Sequence, residues 1–195
     1  MARTTIRAVF IRFAFYKPRD NAVAATKSSN GDDLPTFAGH LYAGTDGLFP
    51  FSPNDWERTV IETETARPTF VAWWRNPSRA TPASLRVAYQ TDSGNWTSVQ
   101  PDFVIVSRKD DGTLGASIVD PHGDYLADAR PKLVALADYA EEYGDRFVRI
   151  ESLSQTETGL MVLDLQSPAV RAAVRAFTGT QVAALYQSSA ATPYA

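Results

Sequence analysis

Apolar and polar positions change period repeatedly along this chain, and each change marks an element. Residues 3–16 alternate through Ile6, Ala8 and Phe10 and read as a strand. Residues 17–36 mix Pro, Asn, Gly, Ser and Asp, which predicts a loop, with disorder expected at 27–33. Residues 37–51 are aromatic and glycine-rich, the composition of a packed irregular segment. A helix follows, with Ser52 before Pro53 as its expected cap. Trp56, Val60 and Ile61 share one face of it, Glu57 and Glu64 fall elsewhere on the wheel, and Pro68 ends it. Strands are predicted at 69–74 and 85–89, then a turn at 91–95, with 96–99 leading onward. Two further apolar runs, 103–106 and 116–119, flank the loop Lys109, Asp110, Asp111, Gly112 and read as a β-hairpin. Leu133, Leu136, Ala137 and Ala140 recur at helical spacing, and Gly144 is the expected C-cap. Strands at 147–152 and 159–165 precede a helix capped by Ser167 and Pro168 and running to Phe177. The residues from Ser188 are small and polar and are expected to fray.

The order is helix, strand, strand, hairpin, helix, strand, strand, helix, which predicts a mixed α/β sheet with helices on its faces. Three regions follow: an N-terminal strand-and-loop extension (1–51), a main domain (52–187) and a tail (188–195).

The hairpin carries the chemistry. Asp102 opens its first strand, and Asp120 closes its second, followed by Pro121 and His122. Those two ends lie side by side in an antiparallel pair, so two carboxylates converge at one sheet edge. Such a pair suits a hard divalent cation such as Mg²⁺.

Composition narrows the classes. Of 195 residues, 44% are hydrophobic and 21% charged, ordinary for a globular protein with a real core. Cysteine is absent, which excludes disulfides, thiolate metal sites and a cysteine nucleophile, and fits a reducing, cytoplasmic setting. No apolar run approaches the roughly 20 residues that span a bilayer, and arginines interrupt the N-terminal apolar residues, so neither membrane nor signal peptide is expected. The net charge of −3 argues against unaided DNA binding, although a metal-dependent nuclease gathers acids at its site.

Pro101-Asp102, a strand, a loop, a strand, then Asp120-Pro121-His122 resembles the PD-(D/E)xK nuclease core. The flanking text W-E-R-T-V-I-E-T-E, V-A-W-W-R-N-P and P-D-F-V-I-V looks like the C-terminal nuclease region of type III restriction-enzyme Res subunits and related DEAD/DEAH-box helicases, over residues 37–177. The resemblance implies a restriction-endonuclease-like sheet flanked by helices and a metal-dependent DNA endonuclease. Its metal, Mg²⁺ or Mn²⁺, would sit on Asp102, Asp120 and the Pro121 carbonyl, with Glu57 as the helix acid. The implied partners are DNA and a helicase or restriction-modification subunit. This sequence departs from the pattern where the lysine is replaced by His122, and no G-K-[ST] phosphate loop exists, so the chain is not the ATPase.

A neutral His122 can act as a general base where a protonated lysine cannot, or it marks a site that has lost its chemistry. Lys132, opening the next helix, is the alternative source of positive charge, or a solvated first-turn lysine. Arg75 in W-W-R-N-P would clamp a phosphate or pair with Glu57 or Glu64. Arg171 and Arg175 share a helix face that would meet DNA or simply face solvent. Of Trp73 and Trp74, on opposite faces of one strand, at least one belongs to the core. His40 has no partner motif and reads as structural. The alternative function is an inactive nuclease-fold domain that binds DNA or docks onto a helicase.

Overall fold

The computed structural model describes residues 26–79, 81–91, 93–121, 128–179 and 181–195. The strand expected at 3–16 and His122 lie outside them.

A six-stranded mixed sheet forms the frame. Its strands are β3 (Phe70–Arg75), β6 (Phe103–Arg108), β7 (Leu114–Pro121), β8 (Ile150–Thr156), β9 (Gly159–Asp164) and β10 (Thr192–Pro193), in the order β10-β9-β8-β7-β6-β3. Every neighbouring pair is antiparallel except β7 with β8. That parallel step requires a crossover, and helix α2 (Ala129–Tyr143) supplies it. Helix α1 (Asp55–Ala66) packs on one face of the sheet, where Val60 and Ile61 meet Trp73, Phe103, Ile105, Val119 and Leu153. Helices α2, α3 (Pro168–Ala176) and α4 (Ala183–Tyr186) cover the other face around Ile118, Leu136, Ile150 and Leu163. Adjacent residues Ile118 and Val119 thus enter opposite cores, as strand alternation requires.

The expected hairpin is present and longer than its apolar runs. Its register pairs Phe103 with Val119 and Arg108 with Leu114. Gly112, at φ 80°, makes the turn, and Asp111 accepts from the Thr113 amide.

Several expectations change. Asn54, not Ser52, caps α1: its side chain accepts from the Glu57 amide, and Glu57 returns to the Asn54 amide, a reciprocal capping box. Glu57 and Glu64 lie on the buried face of α1, because Arg75 of β3 and Arg149, just before β8, meet them there. Trp73 and Trp74 are both buried, which meets the expectation that at least one belongs to the core. Gly144 is the C-cap of α2, as expected, but it stays right-handed, at φ −57°, and the chain continues into a 3₁₀ turn, Gly144–Arg146. Residues 27–33 close on themselves through a Lys27–Asp33 bridge and ion pair. Residues 37–51 contain two short paired strands, β1 (Thr36–Ala38) and β2 (Leu48–Pro50), which bring Phe37, Phe49 and Phe51 around Trp73. The chain from Gly39 to Leu41 bonds to both backbone groups of Trp73, covering that stretch of the β3 edge.

The tail expected to fray is instead built in. Thr192 pairs with Val162, and the Tyr194 hydroxyl donates to Glu64. Burial opposes charge on Glu64, but Arg149, Tyr194 and Arg67 together hold its pKa below the ordinary value. Residues 96–99 do not simply lead into the central hairpin either. They form β5 (Trp96–Val99), paired with β4 (Val87–Gln90) in a separate two-stranded arm.

Candidate functional site

The ends of β6 and β7 converge as the hairpin reading requires. The Asp102 amide donates to Asp120 Oδ1 across 2.9 Å. Asp120 is 1% exposed and stands beside Ser152 in the parallel β7–β8 register. Burial pushes its carboxyl up to about 6, against the opposing pull of the Asp102 amide, Arg75 and Lys132. The carboxylate is therefore poised near neutrality instead of being fully ionised well below it.

Two spaces meet at this point. A cavity of about 10 Å³ is lined by Asp120, Lys132, Ser152 and Tyr186. Ser152 and Tyr186 are joined there by a 2.7 Å hydroxyl pair. A cleft of about 280 Å³ is lined by Asp102, Asp128, Lys132, Tyr89, Thr97 and Gln100, among others. Lys132 borders both, which brings the expected alternative cation to both acids. Its ammonium is 2.7 Å from Asp128, one turn back on the same helix.

Arg75 organises the other side. Its guanidinium is 2.7 Å from Glu57 Oε1 and 2.8 Å from Asp102 Oδ1, and it also donates to the Asp102 carbonyl. Of the readings open for Arg75, carboxylate pairing is the one realised, with Glu57 and Asp102 and not Glu64. Glu57 is occupied twice, by Arg75 and by its capping box. The Arg75 side chain is largely buried, so it offers no open DNA-binding surface. Arg171 donates to the carbonyls of Leu165 and Gln166. Arg175 pairs with Asp138 and Glu141 of α2. The shared basic face expected of these two arginines is thus taken up by internal partners.

His40 is structural, as expected. Its ring stacks on Phe49 at 3.6 Å, its Nδ1 accepts from the Tyr42 amide, and burial lowers its pKa to about 4.

Sequence reasoning missed Asn76. This buried residue donates to the carbonyls of Leu85 and Pro101 and accepts from the Leu85 amide. It thereby ties both roots of the β4–β5 arm to the strand end that carries Asp102. The signal was present in R-N-P, where a buried Asn after a strand can replace the ladder that Pro77 interrupts.

Among the described residues, no group of three or more His, Asp or Glu side chains is placed to hold a metal. Asp102, Asp120 and Pro121 stand together at the paired ends of β6 and β7 and carry hard oxygen donors of the kind that suit a cation such as Mg²⁺ or Mn²⁺. Glu57 does not fit that set, because both its oxygens are taken, Oε1 by Arg75 and Oε2 by the Asn54 amide; Asp102 shares its Oδ1 with the same arginine.

The YagJ family profile matches residues 38–195, a span that contains every residue of this site. The chain belongs to the YagJ family. Protein YagJ of Escherichia coli (strain K12) is 40% identical over 162 residues, which is 83% of this chain. The match covers 65% of that relative, so this chain spans less than two-thirds of the YagJ protein's length. No solved structure matches the chain. Among the described residues, no helix is long and apolar enough to cross a membrane.

Proposed function

We propose that this YagJ-family chain is a metal-dependent DNA endonuclease domain of the PD-(D/E)xK type, working beside a helicase or restriction partner. The observation that carries the reading is the Asp102–Asp120 contact at the converging ends of β6 and β7, with Lys132 lining the same space. The element order supports it: a helix, an antiparallel three-strand unit containing that hairpin, a crossover helix and a parallel strand.

A divalent ion supplies Lewis-acid neutralisation of the phosphate and a more acidic water, and Asp102, Asp120 and the Pro121 carbonyl are the oxygens that would hold it. The chain's own residues do the rest. Asp120, whose carboxyl burial raises to about 6, is held in its ionised form more firmly when a positive charge approaches. Lys132 leans toward Asp128 and can swing to a phosphate entering the cleft, adding charge stabilisation. His122 is the candidate base for the attacking water, since a neutral imidazole accepts a proton near pH 7. Arg75 fixes the Asp102 backbone and so positions the carboxylate pair.

One observation favours the inactive binding or docking reading. Arg75 already satisfies Glu57 and Asp102, which gives these acids a structural role without any metal. Titration with Mn²⁺ separates the two. The nuclease reading expects binding that Asp102→Ala abolishes together with DNA cleavage. The docking reading expects a folded protein with neither binding nor cleavage.

A further inference from the structure

The β4–β5 arm is an insertion between β3 and β6, and nothing in the catalytic reading uses it. Val87 and Val99 face inward and are buried against the α2 side of the core. Strand alternation then places Ala88, Gln90, Trp96 and Ser98 on the opposite face. Trp96 is 73% exposed there, directly opposite Gln90. Arg86, just before β4, is exposed and makes no ion pair among the described residues. Ser98 and Gln100 carry this arm into the wall of the 280 Å³ cleft that also holds Asp102 and Lys132, and Tyr89 lines the same cleft.

We infer that the arm is a stacking platform for single-stranded DNA, with Trp96 holding an unpaired base and Arg86 a neighbouring phosphate while the strand runs into the cleft. The exposed indole of Trp96 offers an open, flat face on which an unpaired nucleobase of any identity can stack. An unpaired base is required, because a duplex keeps its base faces inside the stack. The cleft beside the arm, about 280 Å³, is of small-ligand size. Asn76 makes the arm a fixed platform, since it bonds at once to Leu85 and Pro101 at the two roots. This inference rests on the phosphodiester reading of the neighbouring site and names its substrate class.

The test is fluorescence anisotropy with labelled oligothymidylate in EDTA, so that binding is read without cleavage, for the wild type, Trp96→Ala, Trp96→Phe and Arg86→Ala. Stacking of one base predicts roughly tenfold or greater weakening in Trp96→Ala, with Trp96→Phe retaining most of the affinity. Arg86→Ala weakens binding and reduces its salt dependence. The oligonucleotide also shields wild-type tryptophan emission from iodide. Equal affinity of Trp96→Ala and wild type overturns the inference, as does a wild type that binds duplex as tightly as single strands or binds neither. Plasmid cleavage by the same proteins separates the two ideas. Trp96-dependent binding without cleavage leaves the platform standing and removes the nuclease reading. Cleavage with Trp96-independent binding does the reverse.

Discussion

Asp120 receives the backbone amide of Asp102 on a carboxylate oxygen that is almost wholly buried. That relationship ties the end of β7 to the start of β6, and the amide opposes the rise that burial imposes on the Asp120 carboxyl. Burial raises the Asp120 carboxyl to about 6 from 3.8. The folded chain therefore binds this proton more tightly than the unfolded chain. On account of this group, stability falls as pH rises from about 4 to about 6, and the penalty persists above that window. Asp120→Asn keeps an oxygen for the Asp102 amide and removes the penalty. The variant should be more stable than wild type at neutral pH, by on the order of 1–2 kcal/mol. Its advantage should vanish below about pH 4. Urea unfolding across that range measures both.

His40 acts in the opposite direction. Its folded pKa is lowered to about 4 from 6.5 by burial, so its stabilising contribution is present above 6.5 and is lost as pH falls toward 4. His40→Phe keeps the aromatic packing on Phe49 but leaves the Tyr42 amide without its acceptor. Near neutrality it should cost about 1 kcal/mol. Thermal melts in acid should show a shallower loss than wild type.

Arg75 holds two acids from different elements, Glu57 of α1 and Asp102 of the hairpin. Removing it strands a partly buried charge, so Arg75→Met should destabilise by on the order of 2–4 kcal/mol. Arg75→Lys should recover little, because an ammonium cannot reproduce the forked contact to Glu57 and to the Asp102 and Asn76 carbonyls. A double-mutant cycle with Glu57→Gln should return a clear coupling energy. Additive effects would show that the pair does not act as a unit.

Asn76→Ala should loosen the arm more than the sheet. It leaves two carbonyls and one amide without their side-chain partner, at about 1–3 kcal/mol for the set. Hydrogen exchange should accelerate across residues 77–100 while β7 and β8 stay protected.

Much of this was legible because local rules governed it. The D-G turn and the apolar runs specified the hairpin, and with it the meeting of Asp102 and Asp120. Ser167 and Pro168 specified the start of α3. The misreadings share a cause, which is partners remote in sequence. Glu57 and Glu64 look solvent-facing on a helical wheel until Arg75 and Arg149 arrive from β3 and the start of β8. The tail looks loose until Tyr194 reaches Glu64. Asn54 was missed although N-D-W-E spells a capping box, because Ser52-Pro53 offered a competing start. Arg75 was legible as a clamp for oxygen anions, but the sequence did not say that those anions were the protein's own.

The central claim is phosphodiester cleavage at the Asp102–Asp120 end of the hairpin. Its most direct test is nicking of supercoiled plasmid in Mg²⁺ and in Mn²⁺, with wild type beside Asp120→Asn and Lys132→Ala, each shown to be folded. Nicking that requires the metal, falls to background in Asp120→Asn and drops sharply in Lys132→Ala is the expected result. A folded wild type that leaves the plasmid intact in both metals, or an Asp120→Asn variant that nicks as fast as wild type, would contradict it.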